Sequence, residues 1–189
     1  MAGEQRARCK GQDAPLIVFE DEGRFRRISD LRSCRAPFPQ RPLVPRRVVR
    51  QSLYVFEAVA PLEGKLFWSI EGKGNTDAMG RFLLTLLEAN PGRRMVLFVD
   101  GAGWHRAKRL PVPQRLRLEL LPPCTPECNP VEQLWEELRE KWTGNRLFET
   151  LDAVGQTLKN ALGNLEWNDG NLRRLMCFGW IKEAWLLYI

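Results

Sequence analysis

Five apolar residues in a row, Met95 to Val99, run directly into Asp100 and constrain the fold more than any other stretch. A strand with one face in water alternates polar and apolar side chains, whereas an unbroken apolar strand is buried on both faces of its sheet. The stretch therefore predicts a strand inside a sheet that helices cover on both sides. It ends on a carboxylate, and the only histidine of the chain, His105, follows shortly after.

The rest of the chain alternates strand-like and helix-like patterns. Residues 15–19 predict a buried strand that ends at the acids Glu20 to Glu22, and residues 52–72 predict a hairpin that turns at 61–64. Further predictions are a helix from Asn75 or Thr76 to the NPG sequence at 90–92, a strand at 115–121, a helix at 130–142 with Asn129 as its cap and Pro130 as its first residue, a helix at 149–166 and helical structure near the C-terminus. Together these patterns predict an α/β domain on a mixed sheet flanked by helices.

The charge of the chain suggests a partner. The formal net charge is +6, and 22 arginines outnumber 7 lysines. The planar arginine fork matches phosphate oxygens, so an acidic polymer such as nucleic acid is a reasonable partner, although the excess also fits a solvated surface. No apolar run approaches the roughly 20 residues that span a bilayer, and the first residues lack the apolar core of a signal peptide. We therefore expect a cytoplasmic protein with no membrane contact and with free thiols.

Residues 35–50 are rich in proline and arginine, which argues against regular structure apart from a possible edge strand at the end of the stretch. The same residues fit two interpretations. Their arginines could grip a DNA backbone, which would make binding strongly dependent on salt, or they could form a solvated loop.

Three acids lie at the edges of buried elements. Asp21 follows the first apolar run, Asp100 ends the central strand, and Glu132 falls in the first turn of the helix after Asn129. Functional groups of open α/β sheets collect at strand ends. Carboxylates that converge there repel each other unless a cation neutralises them, so the pattern predicts a hard divalent ion such as Mg²⁺ or Mn²⁺. Two such ions can hold the attacking and leaving oxygens of a phosphoryl transfer.

Each acid also has a purely structural explanation, which spacing alone leaves open. Asp21 is one of three consecutive acids and could be the solvated end of a strand. Asp100 precedes Gly101, a common turn pair. Glu132 could reach back to the N–H groups at the start of its own helix.

The amino-acid sequence around the three acids resembles that of a known family. The stretches VFEDEGRF, LFVDGAGWH and LLPPCTPECNPVEQLWEELR resemble, in order and spacing, the catalytic domain of bacterial insertion-sequence transposases of the mariner-like superfamily. The third stretch is the most specific, with two prolines, a short loop, Asn-Pro-apolar-Glu and then an aromatic residue. The resemblance covers nearly all of residues 15–145.

This resemblance implies a ribonuclease-H-like fold that carries an Asp-Asp-Glu (DDE) triad. It assigns the catalytic and metal-binding roles to Asp21, Asp100 and Glu132, with Asp21 preferred to its acidic neighbours because the family's ligand precedes Glu-Gly. It implies Mg²⁺ or Mn²⁺, two ions, and cleavage and joining of DNA at transposon ends. Secondary residues near the site are Glu22, His105 and Asn129. Candidate DNA contacts are Arg41, Arg46, Arg47, Arg50, Arg106 and Lys108.

The chain departs from the family pattern in three ways. Gly101 stands where the family usually has asparagine, and the 31 residues between Asp100 and Glu132 are a slightly short spacing. Only about fourteen residues precede the first strand, although such transposases usually begin with helix-turn-helix domains. We therefore expect those domains on a separate chain, or else a truncated, non-mobile DNA-binding remnant.

The expected organisation is a basic lead-in at 1–14, the catalytic core at 15–145 and C-terminal helices packed on it at 146–189. The active form is expected to be a homo-oligomer bound to transposon ends and target DNA. The main rival within the same fold is a nuclease that cuts nucleic acid without joining strands.

Overall fold

The structure, a computed structural model, describes residues 14–28, 35–40, 43, 49–166 and 169–188. At its centre is a mixed five-stranded sheet of β1 (Leu16–Arg26), β2 (Ser52–Ala60), β3 (Lys65–Glu71), β4 (Met95–Val99) and β5 (Leu116–Leu120). The strands lie in the order β3-β2-β1-β4-β5. β1, β2 and β3 form an antiparallel meander, while β4 and β5 run parallel to β1. The predicted mixed sheet and hairpin are confirmed.

In the described part of the chain, five α-helices cover the sheet: α1 (Thr76–Glu88), α2 (Val131–Leu138), α3 (Leu151–Glu166), α4 (Asp169–Met176) and α5 (Gly179–Tyr188). A short 3₁₀ helix, Pro126–Cys128, precedes α2, and a π-helical turn, Arg139–Thr143, continues it. The predicted cap of α1 is confirmed, because the Asn75 side chain accepts a hydrogen bond of 2.9 Å from the Ala78 N–H. Among the described residues, no helix is both long and apolar enough to cross a bilayer.

The sheet separates two apolar cores. One lies between the sheet and α1 and contains Phe82 and Leu97; the other lies beneath α2, α3 and α4 and contains Trp135 and Leu158. Strand β4 contributes to both, because Leu97 is fully buried on the α1 side while Phe98 packs against the opposite core. The predicted position of this strand inside the sheet is therefore confirmed, while its second face is only half-buried, because Val96 and Phe98 line a cavity.

Strand β1 does not end at its acids. The predicted end at Glu20 to Glu22 is wrong, since β1 continues to Arg26 and stays paired with β2 throughout. Because side chains alternate along a strand, Asp21 faces the α2 side of the sheet, whereas Glu20 and Glu22 face the α1 side. The three consecutive acids of β1 are thus divided between the two faces of the sheet.

The start of α2 also differs from the prediction. Pro130 occupies the cap position and Asn129 precedes it, so the predicted cap is one residue away from the observed one. Pro130 nevertheless has the helical φ of −65°, and the extended Asn129 accepts a hydrogen bond from the Val131 N–H through its side chain, so Asn129 still caps the start of the helix. Most of the proline- and arginine-rich stretch, with Arg41, Arg46, Arg47 and the possible edge strand, lies outside the described residues.

Candidate active site

The three predicted acids line one cavity of about 390 Å³. Asp21 comes from the middle of β1, Asp100 from the end of β4 and Glu132 from the first turn of α2. Arg106 and the loop at residues 121–126 complete its wall. Elements far apart in sequence therefore bring the three carboxylates to one cavity, and their oxygens do not all lie within 4.8 Å of one another.

Asp21 is held by two hydrogen bonds. Its Oδ2 accepts from the indole Nε1 of Trp135 at 2.8 Å, and its Oδ1 accepts from the Glu22 N–H at 2.9 Å. Burial, together with the charges of Glu132 and Glu22, raises the pKa of Asp21 to about 7 against the lowering effect of the Trp135 indole. Trp135 can lie so close because Gly23 leaves room: a Cβ there would be 2.8 Å from the indole ring.

Asp100 has the opposite electrostatic environment. Its Oδ1 lies 2.9 Å from Nδ1 of His105 and accepts a 2.8 Å hydrogen bond from the Ala102 N–H. These bonds, that of His105 first, lower the pKa of Asp100. The carboxylate remains about half exposed and faces the cavity. It therefore stays ionised and available to a ligand.

Glu132 shows no hydrogen bond to the described residues at the start of its own helix; its side chain lines the cavity. Burial raises its pKa, and Asp100 contributes to the rise. The helix start is fixed by Asn129 instead, whose Nδ2 donates to the Glu20 carbonyl at 3.0 Å and whose Oδ1 accepts from the Val131 N–H at 3.2 Å. Asn129 thereby ties α2 to β1 next to Asp21.

On the other face of β1 lies a buried cluster of Glu20, Glu22 and His105. The His105 Nε2 lies 3.0 Å from a Glu22 oxygen and 3.2 Å from a Glu20 oxygen. Burial lowers the pKa of His105, but its contacts with Asp100, Glu20 and Glu22 outweigh this and raise it to about 12. Burial, followed by the charge of Glu22, raises the pKa of Glu20 well above its usual range. Among the described residues, these three side chains form the one group of at least three potential ligands whose ligand atoms all lie within 4.8 Å of one another.

Sequence reasoning missed two buried acids, Glu20 as part of this cluster and Glu57. Glu57 lies directly opposite Asp21 on β2, so the two side chains share a face of the sheet. It is fully buried, and neither carboxylate oxygen hydrogen-bonds to a described residue. Burial raises its pKa, and so does the charge of Asp21. The signal was available, because a glutamate interrupts the otherwise apolar run VFEAVA.

Arg106 and Gly101 fit together at the cavity wall. A Cβ on Gly101 would be 2.8 Å from the Arg106 guanidinium, so only glycine lets the arginine lie there without movement. Of the other predicted DNA contacts, Arg50 and Lys108 are exposed. A larger cavity of about 460 Å³, lined mainly by apolar side chains such as Phe19, Phe98 and Trp180, contains none of the triad.

Comparison with known proteins places the chain in a family. Residues 16–155 match the family model described as DDE superfamily endonuclease. The chain belongs to this family. The DDE endonuclease chain is also 38% identical, over 102 residues, to the uncharacterized protein y4pE/y4sA of Sinorhizobium fredii (strain NBRC 101917 / NGR234). That match covers 53% of this chain and 76% of the relative.

Solved structures support the fold of this DDE endonuclease chain. The Mos1 strand transfer complex superposes with a TM-score of 0.62 at 14% identity, over 92% of this chain and 54% of that one. The Mos1 mariner paired end complex with Mn gives 0.60 at 14% identity, over 92% and 54%. The complex with Mg gives 0.58 at 16% identity, over 91% and 56%. The chain thus spans about half the length of these Mos1 chains, and the ribonuclease-H-like fold is confirmed.

Proposed function

We propose that this chain is the catalytic domain of a transposase that cleaves DNA phosphodiesters at transposon ends and joins them to a target. The observation that carries the proposal is the meeting of Asp21, Asp100 and Glu132 on one cavity in a member of the DDE superfamily endonucleases. The similarity to Mos1 complexes named for strand transfer and paired ends supports joining as well as cutting.

The donor set suits a hard divalent ion. Three carboxylates face the cavity, and the pKa of Asp21 is raised by burial and by its acidic neighbours, which means that ionised Asp21 lacks a counter-charge. Oxygen donors of this kind are the ligands that Mg²⁺ and Mn²⁺ prefer. Asp21, Asp100 and Glu132 would hold the ions. Bound there, one or two Mg²⁺ or Mn²⁺ would activate a nucleophile and stabilise the leaving oxygen of the phosphodiester.

Neighbouring side chains hold the carboxylates, and would hold the substrate phosphate, in position for the reaction. Trp135 fixes the Asp21 carboxylate by donating to Oδ2, and His105 fixes Asp100 from the side away from the cavity. Arg106 places a guanidinium at the same wall as Asp100, where it can pair with a phosphate oxygen in the fork geometry of arginine. The substrate phosphate would therefore lie between Arg106 and the carboxylates.

DNA is the proposed partner, and we expect binding to weaken steeply with salt because phosphate contacts release counterions. Exposed Arg50 and Lys108 are available for such contacts. We further propose that the enzyme acts as a homo-oligomer on paired ends in the bacterial cytoplasm, and that helix-turn-helix domains on a separate chain recognise the ends.

An oligonucleotide assay with a labelled duplex, Mg²⁺ and a 3′-hydroxyl donor tests the proposal. The expected result is metal-dependent cleavage together with a longer, joined product. Asp100→Asn should abolish both products, because the amide cannot replace an anionic ligand, while Glu88→Gln on exposed α1 surface should leave them unchanged.

Cut DNA without joined product would instead identify a nuclease on the same scaffold. Cleavage near the wild-type level by a folded Asp100→Asn variant would refute the metal-ligand role. Salt-sensitive binding with no cleavage in Mg²⁺ or Mn²⁺ would identify a DNA-binding remnant.

A further inference from the structure

We propose that Glu20, Glu22 and His105 form a second, buried site for a divalent transition-metal ion such as Zn²⁺, on the face of β1 opposite the catalytic cavity. The site does not depend on the proposed transposase activity. Its residues belong to no part of the DDE triad. Glu20 and Glu22 lie on the face of β1 opposite Asp21, and the link between the two positions is the contact of His105 with Asp100.

The spacing of the side chains is compatible with coordination. The Nε2 of His105 lies 3.0 Å from Glu22 Oε1 and 3.2 Å from Glu20 Oε2, and one ligand atom from each residue falls within 4.8 Å of the others. Ligands bound at about 2.0–2.2 Å around a tetrahedral zinc are roughly 3.4 Å apart. An ion in place of the Nε2 proton would therefore require only small movements of the side chains.

The hydrogen bonding of Glu20 points to a missing partner. Its side chain is fully buried; Oε1 has no partner among the described residues, and Oε2 has only the 3.2 Å ion-pair contact with His105 Nε2, which lacks hydrogen-bond geometry. A buried carboxylate without such partners is costly. The Glu20 oxygen that lies near His105 faces the position where an ion would bind, so coordination would satisfy it.

The surroundings of the cluster resemble those of natural metal centres. Histidine ligands usually donate their second ring N–H to a carboxylate, which fixes the ring and its tautomer. Here the Nδ1 of His105 lies 2.9 Å from Asp100 Oδ1, and the Trp104 indole N–H donates to Glu22. Two of the three ligands thus already have outer partners.

The ligand chemistry selects the ion. Imidazole nitrogen favours transition metals such as zinc, whereas Mg²⁺ prefers oxygen donors and keeps its waters. One nitrogen and two carboxylates should therefore bind Zn²⁺ in preference to Mg²⁺. Such an ion would link β1 to the loop after β4, and through His105 it would also hold Asp100 in place.

The test uses Zn²⁺ and the full chain in a background that removes other ligands. Asp21→Asn and Glu132→Gln neutralise two of the three cavity carboxylates, and serine in place of Cys9, Cys34, Cys124, Cys128 and Cys177 removes every thiol of the chain. After dialysis against excess Zn²⁺ and then metal-free buffer, the expected result is one retained equivalent of zinc. X-ray absorption should show only nitrogen and oxygen neighbours at about 2.0–2.2 Å.

Two isosteric variants in that background assign the site. Glu20→Gln should weaken Zn²⁺ binding at least tenfold. Glu57→Gln is the matched control, since Glu57 is equally buried but lies on the opposite face of the sheet, and it should retain the ion. Circular dichroism and urea unfolding check that both variants are folded.

Three results would overturn the site: less than a stoichiometric amount of zinc in the background protein, full retention in folded Glu20→Gln, or equal loss in both variants. Failure here is distinct from failure of the proposed function. A chain that cuts DNA with Mg²⁺ but retains no zinc would refute only the buried site, and a chain that retains zinc but cuts no DNA would refute only the transposase.

Discussion

Replacing Asp21 with asparagine should stabilise the metal-free protein while removing its activity. Burial raises the pKa of Asp21 from its ordinary value near 3.8 to about 7, so the native state holds a proton that the unfolded state releases. Between these two values the unfolded state binds fewer protons, and the free energy of unfolding therefore falls as the pH rises. The asparagine of the variant would have no such proton to lose, and its amide oxygen could still accept from Trp135.

The size of the stability difference follows from the pH range between the two pKa values of Asp21. Each pH unit changes the free energy of unfolding by about 1.4 kcal/mol for one proton. Across about three units, the wild-type protein loses roughly 4 kcal/mol relative to Asp21→Asn, and the difference stays constant above the native pKa. This is a large share of the roughly 5–15 kcal/mol that is typical of a whole domain.

Urea unfolding followed by tryptophan fluorescence, with EDTA present and at about pH 5, 6, 7 and 8, measures the difference. Glu88→Gln, an exposed carboxylate replaced in the same way, should show a constant offset from wild type. Added Mg²⁺ should stabilise wild type at about pH 8 more than the variant, because binding to the native state raises stability. A difference that does not widen between about pH 5 and pH 7 would show that Asp21 is ionised in the native state, and the reasoning from burial would fail.

Three further changes test the contacts around the cavity. Gly23→Ala would bring a Cβ within 2.8 Å of the Trp135 ring, so we expect about 1–3 kcal/mol of destabilisation by urea unfolding. Trp135→Phe removes the donor to Asp21 and should weaken Mn²⁺ binding several-fold near neutral pH, with a smaller loss in alkaline buffer, as measured by calorimetry. Gly101→Asn should displace the Arg106 guanidinium and reduce the salt dependence of DNA binding by about one phosphate contact. Unchanged stability, metal affinity or salt slope would count against the corresponding contact.

The central strand and the convergence of the acids are predictable because they depend on local patterns. The apolar run before Asp100 needs two covered faces, and the Asn-Pro start of α2 places Glu132 in its first turn. Known topology then brings the carboxyl ends of parallel strands to one edge. Local sequence was therefore enough to name the acids as candidates, and the family resemblance was needed to favour a catalytic over a structural role and to choose Asp21.

The continuation of β1 beyond its acids could not be predicted from local sequence. Glu20 and Glu22 resemble the solvated end of a strand, because buried carboxylates are rare unless they are paired. Their partner, His105, lies more than eighty residues away in sequence, and only the parallel pairing of β1 with β4 brings the two together. A charge buried by so distant a contact leaves no periodic signal in its own neighbourhood.

The alternation of side chains along β1 has a consequence for how the gene can change. Inserting or deleting one codon within this strand would rotate every residue beyond that point to the other face. Asp21 would then exchange sides with its acidic neighbours, so that the longer side chain of a glutamate would face the cavity and the pairing of Glu20 and Glu22 with His105 would be lost. Substitutions in β1 alter one contact each, whereas a change of length by a single residue would disable the whole centre. Among homologous genes, the number of residues from the start of β1 to Asp21 should therefore vary less than the identities of those residues.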